Sequence, residues 1–126
     1  MNLILSNANG APIYEQIYTQ LKAAILTGEL QEGEALPSIR QLAKDLRISV
    51  ITTKRAYDEL ERDGIIYTVA AKGCYVAPKN TELIREEHLR QLEEHLRAAA
   101  KLAALCALSD EELFDLYKTI REEETR

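Results

Sequence analysis

Residues 38 to 64, SIRQLAKDLRISVITTKRAYDELERDG, decide the fold. Ser38 precedes an apolar helical register of Ile39, Leu42, Ala43 and Leu46, and Gln41 follows it at the spacing of a capping box. Ser49 opens a second register that runs to Asp63, and Gly64 stands where a helix end favours left-handed backbone. Only Arg47 and Ile48 separate the two, so the pair is predicted to be a helix-turn-helix.

Upstream, Pro12 sits at a helix start, and Ile13, Ile17, Leu21, Ala24 and Ile25 recur at three- and four-residue steps until Gly28. GELQEGEALPS then reads as a connector. Downstream the period becomes extended, with IIYTV and CYVA flanking a short AAKG turn, which predicts a hairpin. Three helices and a hairpin in this order make a winged helix-turn-helix, whose second paired helix enters the major groove while the hairpin lies along the backbone. The proline and polar residues of APKNT place a boundary near residue 80, giving expected domains of 1–78 and 79–126. Beyond it, one long helix carries Leu89, Leu92, Leu96, Ala99, Ala103 and Cys106 in one stripe, and Ser109 with Glu112 caps a last helix containing Leu113 and Leu116. The expected class is α+β, mainly α: a winged helix-turn-helix followed by a two-helix dimerisation tail.

Charge is spread unevenly. The chain of 126 residues has net charge -5, yet residues 38–57 hold Arg40, Lys44, Arg47, Lys54 and Arg55 against Asp45 alone, a local +4. Residues 79–126 hold 8 basic and 12 acidic side chains, a local -4. Clustered cations attract a polyanion through counterion release, while acidic surface elsewhere limits indiscriminate sticking.

Other classes are disfavoured. No apolar run spans a bilayer, and MNLILSNANG lacks the basic segment of a signal peptide, so no membrane role and a cytoplasmic location are expected. Cys74 and Cys106 lack CxxC spacing and read as small apolar residues. His88 and His95 lie seven residues apart, two turns rather than the one turn usual for a shared metal, so they read as solvated flanks of the stripe. No nucleophile with a base partner and no phosphate loop appears, so neither an enzyme nor a cofactor is expected.

The stretch LPSIRQLAKDLRISVITTKRAYDELERDGIIYTVAAKGCYVA resembles the DNA-binding domain of GntR transcriptional regulators. The resemblance rests on the Leu-Pro-Ser-x-Arg opening, the Leu-Ala pair, the serine before the recognition helix, Lys-Arg-Ala, the Leu-Glu-x-x-Gly exit and the Lys-Gly of the wing, and it covers roughly residues 10 to 78. The short tail is similar to the YtrA-type subfamily. This implies a bacterial homodimeric repressor of its own operon and neighbouring transporter genes, acting on an inverted-repeat operator.

The resemblance also implies DNA-contacting roles for Ser38, Arg40, Ser49, Val50, Ile51, Thr52, Lys54, Arg55 and Lys72. Arg40 forks onto phosphate or a guanine edge, and Ser49 and Thr52 offer hydroxyls and amides at a positive helix end. Lys54 and Arg55 point about 100° apart, and Lys54 is favoured for the groove. Ala56 and Leu60 are expected in the core, with Tyr57 packing. Val50 stands where many relatives carry arginine, and Ala71-Lys72-Gly73 replaces the usual Gly-x-Gly of the wing. A small-molecule effector would have to sit at the dimer interface. The alternative function is a winged-helix scaffold for protein partners, for which the +4 cluster has no use.

Overall fold

The computed structural model describes residues 2–125. They fall into two compact units, one ending at Glu87 and the other beginning at His88.

The first unit contains α1 (Ile13–Leu26), α2 (Ile39–Leu46), α3 (Val50–Arg62), β1 (Ile66–Val69) and β2 (Gly73–Val76). Its core gathers Ile17 and Leu21 of α1, Leu42 of α2, Ala56, Tyr57 and Leu60 of α3, and Ile65, Ile66 and Val76 around the hairpin. Full burial of each large aliphatic side chain contributes about 1.5–3 kcal/mol. Tyr57, buried among them, donates its hydroxyl to the Pro37 carbonyl at 2.7 Å, tying α3 to the entry of α2. Burial pushes this phenol well above its ordinary pKa.

Both caps of the helix-turn-helix form. Ser38 Oγ accepts from the Gln41 amide at 3.0 Å and Ser49 Oγ from the Thr52 amide at 3.1 Å. The expected capping box at α2 is only half made, because the Gln41 side chain donates to Asp45 at 2.7 Å instead of reaching back. The turn is closed by bonds from Arg47 N to Lys44 O and from Ile48 N to Ala43 O, with Arg47 left-handed at φ 57.

The hairpin is antiparallel, pairing Ile66 with Val76, Tyr67 with Tyr75, Thr68 with Cys74 and Val69 with Gly73. Ile66 and Val76 face the core while Tyr67 and Tyr75 stack on the outer face, with ring centroids 5.7 Å apart. The turn forms without the first glycine because Ala71 takes φ 66 itself. Left-handed backbone costs an L-residue about 1–2 kcal/mol, partly offset by glycine's greater freedom when unfolded. Ala71→Gly is therefore expected to raise stability by about 1 kcal/mol in urea denaturation.

Two features depart from the reading of the sequence. The supposed connector supplies a third edge to the sheet: Gly33 N donates to Val76 O, Val76 N to Glu34 O and Leu36 N to Cys74 O, each at 2.9 Å. The N-terminal segment is also an extended strap docked on α1. Gln20 bonds both backbone groups of Ile4, Gln16 bonds both of Ser6, and Leu3 and Leu5 pack on the core.

Helix α4 (Thr81–Leu105) begins in the first unit, where Leu83 packs on the core, and continues into the second. Cys106 does not extend the stripe, as the helix ends at Leu105 and the thiol is exposed. Ala107 at φ 56 and a bond from Leu108 N to Ala103 O make the stop. Helix α5 (Asp110–Glu124) follows, with the Ser109–Glu112 capping box complete. Two hydrogen bonds from Ser109 hold the Glu112 carboxyl below the usual range, that from its backbone amide foremost. Among the described residues no helix is long and apolar enough to cross a membrane.

Candidate nucleic-acid interface

Helix α3 buries Thr53, Ala56, Tyr57 and Leu60 and so presents the opposite side to solvent. Ile51 is 81% exposed there, and Val50 43%. An exposed isoleucine at the start of a helix has no packing role, and its position marks the direction in which the helix points.

At the N-terminus of α3, Ser49 Oγ accepts from the Thr52 amide and donates to Thr52 Oγ1 at 2.8 Å. The Thr52 hydroxyl keeps its own proton for an outside acceptor. The leading amides of Val50 and Ile51 point outwards from the positive end of the helix. Thr53, fully buried, donates to the Ser49 carbonyl at 3.1 Å and fixes the first turn.

The cations divide by what holds them. Among the described residues the side chains of Arg40, Lys44, Arg47 and Lys72 are exposed and have neither a hydrogen bond nor an ion pair. Arg40 and Lys44 lie one turn apart on α2, and Ser38 is at its cap. Lys54 Nζ lies 2.7 Å from Asp58 Oδ2, and that carboxylate raises the pKa of the ammonium. Arg55 is engaged within the domain: its guanidinium lies 3.7 Å from the Tyr14 ring centroid and donates to the Tyr14 hydroxyl at 3.1 Å. It also lies 3.9 Å from Glu59. Lys54 and Arg55 are thus about equally exposed, at 61% and 60%, and differ in partner: Asp58 of the same helix holds Lys54, and Tyr14 of α1 holds Arg55. Counting charges cannot make this distinction, since the deciding partner, Tyr14, lies 41 residues away.

Lys72 occupies the tip of the wing beside Ala71, and its carbonyl accepts from Tyr75 Oη at 3.4 Å. Thr68 donates to Glu61 at 3.0 Å, bracing the wing on α3.

Residues 13–76 match the model of the family described as bacterial regulatory proteins, gntR family. The chain belongs to the GntR family. It is 34% identical over 112 residues to the transcriptional repressor YtrA of Bacillus subtilis, covering 89% of this chain and 86% of that protein. A GntR-family regulator from Listeria monocytogenes superposes with TM-score 0.64 at 29% identity, over 88% of this chain and 96% of the other. The YtrA protein of Sulfolobus acidocaldarius, a GntR-family transcription factor, does so with TM-score 0.54 at 30% identity, over 98% and 99%. The chain is thus a YtrA-type GntR regulator, with the winged helix-turn-helix expected from its sequence, and a DNA-binding protein rather than an enzyme.

In the second unit, Leu92, Leu96 and Ala99 of α4 and Leu113, Phe114, Leu116, Tyr117 and Ile120 of α5 line an apolar groove of about 480 Å³. Of the other stripe residues, Leu89 is exposed and Ala103 buried, and neither lines the groove. Helix α5 buries none of its described residues. His88 and His95 are exposed.

Proposed function

We propose that the chain acts in the cytoplasm as a homodimer that represses transcription by placing α3 of each protomer in the major groove of an inverted-repeat operator. The observation that carries this is the open face of α3, with Ile51 and Lys54 both exposed, together with Arg40 and Lys44 of α2, which have no partner among the described residues. Ser38, Ser49 and Thr52 serve the phosphates at two helix starts, and Arg40 takes phosphate or guanine. Val50 and Ile51 read shape and thymine methyls, and Lys54 exchanges its carboxylate for the duplex. Arg55 holds α3 on α1 through Tyr14, and Lys72 meets the backbone or minor groove. Likeness to the repressor YtrA supports repression, and its own operon and neighbouring transporter genes are the proposed targets.

Residues 79–126 form the dimerisation domain in this reading. The exposed groove of α4 and α5, through Leu92, Leu96, Ala99, Leu113 and Leu116, is the surface for a second copy, with Leu89 and Ala103 continuing the same helix. A small-molecule effector would share that surface.

Selection of bound sequences from a random duplex pool is expected to return an inverted repeat with half-site centres about one duplex turn, roughly 34–36 Å, apart. Enrichment of a lone half-site, or of nothing, contradicts the proposal. Val50→Arg is expected to shift preference towards guanine at one symmetric position in each half-site, leaving dimerisation and melting unchanged. Unaltered base preference on the same pool would show that Val50 does not face the bases.

A further inference from the structure

Asp58 lies seven residues after Ile51, only about 20° from its direction on the helix, and so shares the exposed line of α3. It is exposed, caps no helix and, among the described residues, bonds only to Lys54, at 2.7 Å. The other charges nearby are committed elsewhere. Arg55 is held by Tyr14 and Glu59, Arg62 leans on Asp63 at 3.8 Å, and Glu61 accepts from Thr68. A carboxylate on this line adds to the fold only a weak, exposed ion pair one turn along the helix, yet it faces the surface offered to a polyanion and occupies a cation that could meet it. Such a group lowers affinity for every duplex that does not offer it a donor.

Donors in the major groove are few: guanine presents acceptors, thymine an acceptor and a methyl, and only the cytosine N4 and adenine N6 amino groups can donate. Taking α3 as the groove helix, as proposed above, we infer that Asp58 is a specificity-determining residue whose carboxylate accepts from the cytosine N4 amino group. On a sequence with cytosine in that register, the ion pair exchanges: Lys54 passes to phosphate or guanine and Asp58 to the amino group. At guanine or thymine Lys54 leaves Asp58 only by stranding a carboxylate against acceptors and phosphate, and at adenine the N7 acceptor beside the N6 donor repels it. The pair is broken in both cases and compensated in only one, and the difference is discrimination.

The test compares the intact parent, Asp58→Asn and Asp58→Ala by selection on one random duplex pool and by salt titration on random duplex. Asp58 is exposed, so melting serves as the control for folding. Both variants are expected to bind random duplex about tenfold more tightly, from a roughly threefold gain at each of two half-sites. The salt slope should steepen by about 0.9 for each Lys54 freed. In the parent, one symmetric position per half-site should require cytosine. Asp58→Asn should shift that position towards adenine, which a carboxamide pairs with bidentately, and Asp58→Ala should lose the preference without a new one. Identical base preference at every position in all three proteins, or unmoved affinity for random duplex, overturns the assignment. If the parent itself shows neither enrichment nor salt dependence, the placement of α3 in a groove fails first and the assignment falls with it.

Discussion

A chain carrying Leu96→Asp together with Phe114→Asp is expected to run as a monomer in light scattering and to bind operator DNA about a hundred- to ten-thousandfold more weakly than the parent. Both side chains line the apolar groove, Leu96 at 56% and Phe114 at 61% exposure. Covering a leucine or phenylalanine is worth about 1.5–3 kcal/mol, whereas an unpaired carboxylate enclosed in such a seam costs several kcal/mol. A dimer cannot absorb that change at two symmetric positions. The affinity lost is the effective concentration that each bound half-site lends to its twin, so no DNA contact needs to change. Both positions belong to the second unit, which begins at His88, so the substitutions remove nothing from the core of the winged domain, whose melting is expected to stay that of the parent. A double variant that remains dimeric would place the dimer surface elsewhere.

Arg40→Ala and Lys54→Ala are each expected to cost about 1–3 kcal/mol per half-site where the side chain reads a base. Where it meets phosphate alone, the loss falls evenly on all sequences and flattens the salt slope by about one unit per contact. Arg40 carries the cleaner effect, having no partner to give up among the described residues. Lys54→Ala removes the ammonium and also leaves Asp58 uncompensated, so it should weaken binding more than loss of one cation alone. Arg55→Ala should instead appear in thermal melting, through loss of the Tyr14 contact between α1 and α3. Operator titration by fluorescence anisotropy beside melting curves separates these outcomes.

The helix-turn-helix was legible because period and punctuation agree within one run: Ser38 and Ser49 cap, and Gly64 at φ 76 stops. The wing was legible from its alternation, and a missing glycine did not prevent it because Ala71 accepts the left-handed turn. Other parts left no local trace. Gln16 and Gln20 sit in an ordinary helical pattern, and only the docked strap at Ile4 and Ser6 shows that their amides serve as backbone partners. The edge at residues 33–36 is too short to carry a period, and its bonds are made to a strand some forty residues later. At the interface the sequence supplies the cluster of cations but not their partners. Lys54 and Arg55 are neighbours of equal charge, separated in role by Asp58 on one side and Tyr14 on the other.

The central claim, that the cationic face of α2 and α3 serves duplex DNA, is tested most directly by titrating salt against binding of the intact chain to a random duplex. The account predicts that log K falls linearly with log salt, at a slope of about 0.9 for each phosphate neutralised, and that Arg40→Ala flattens it. Binding that does not change with salt, or a slope that Arg40→Ala leaves unmoved, would contradict it and favour a winged helix that serves a protein partner.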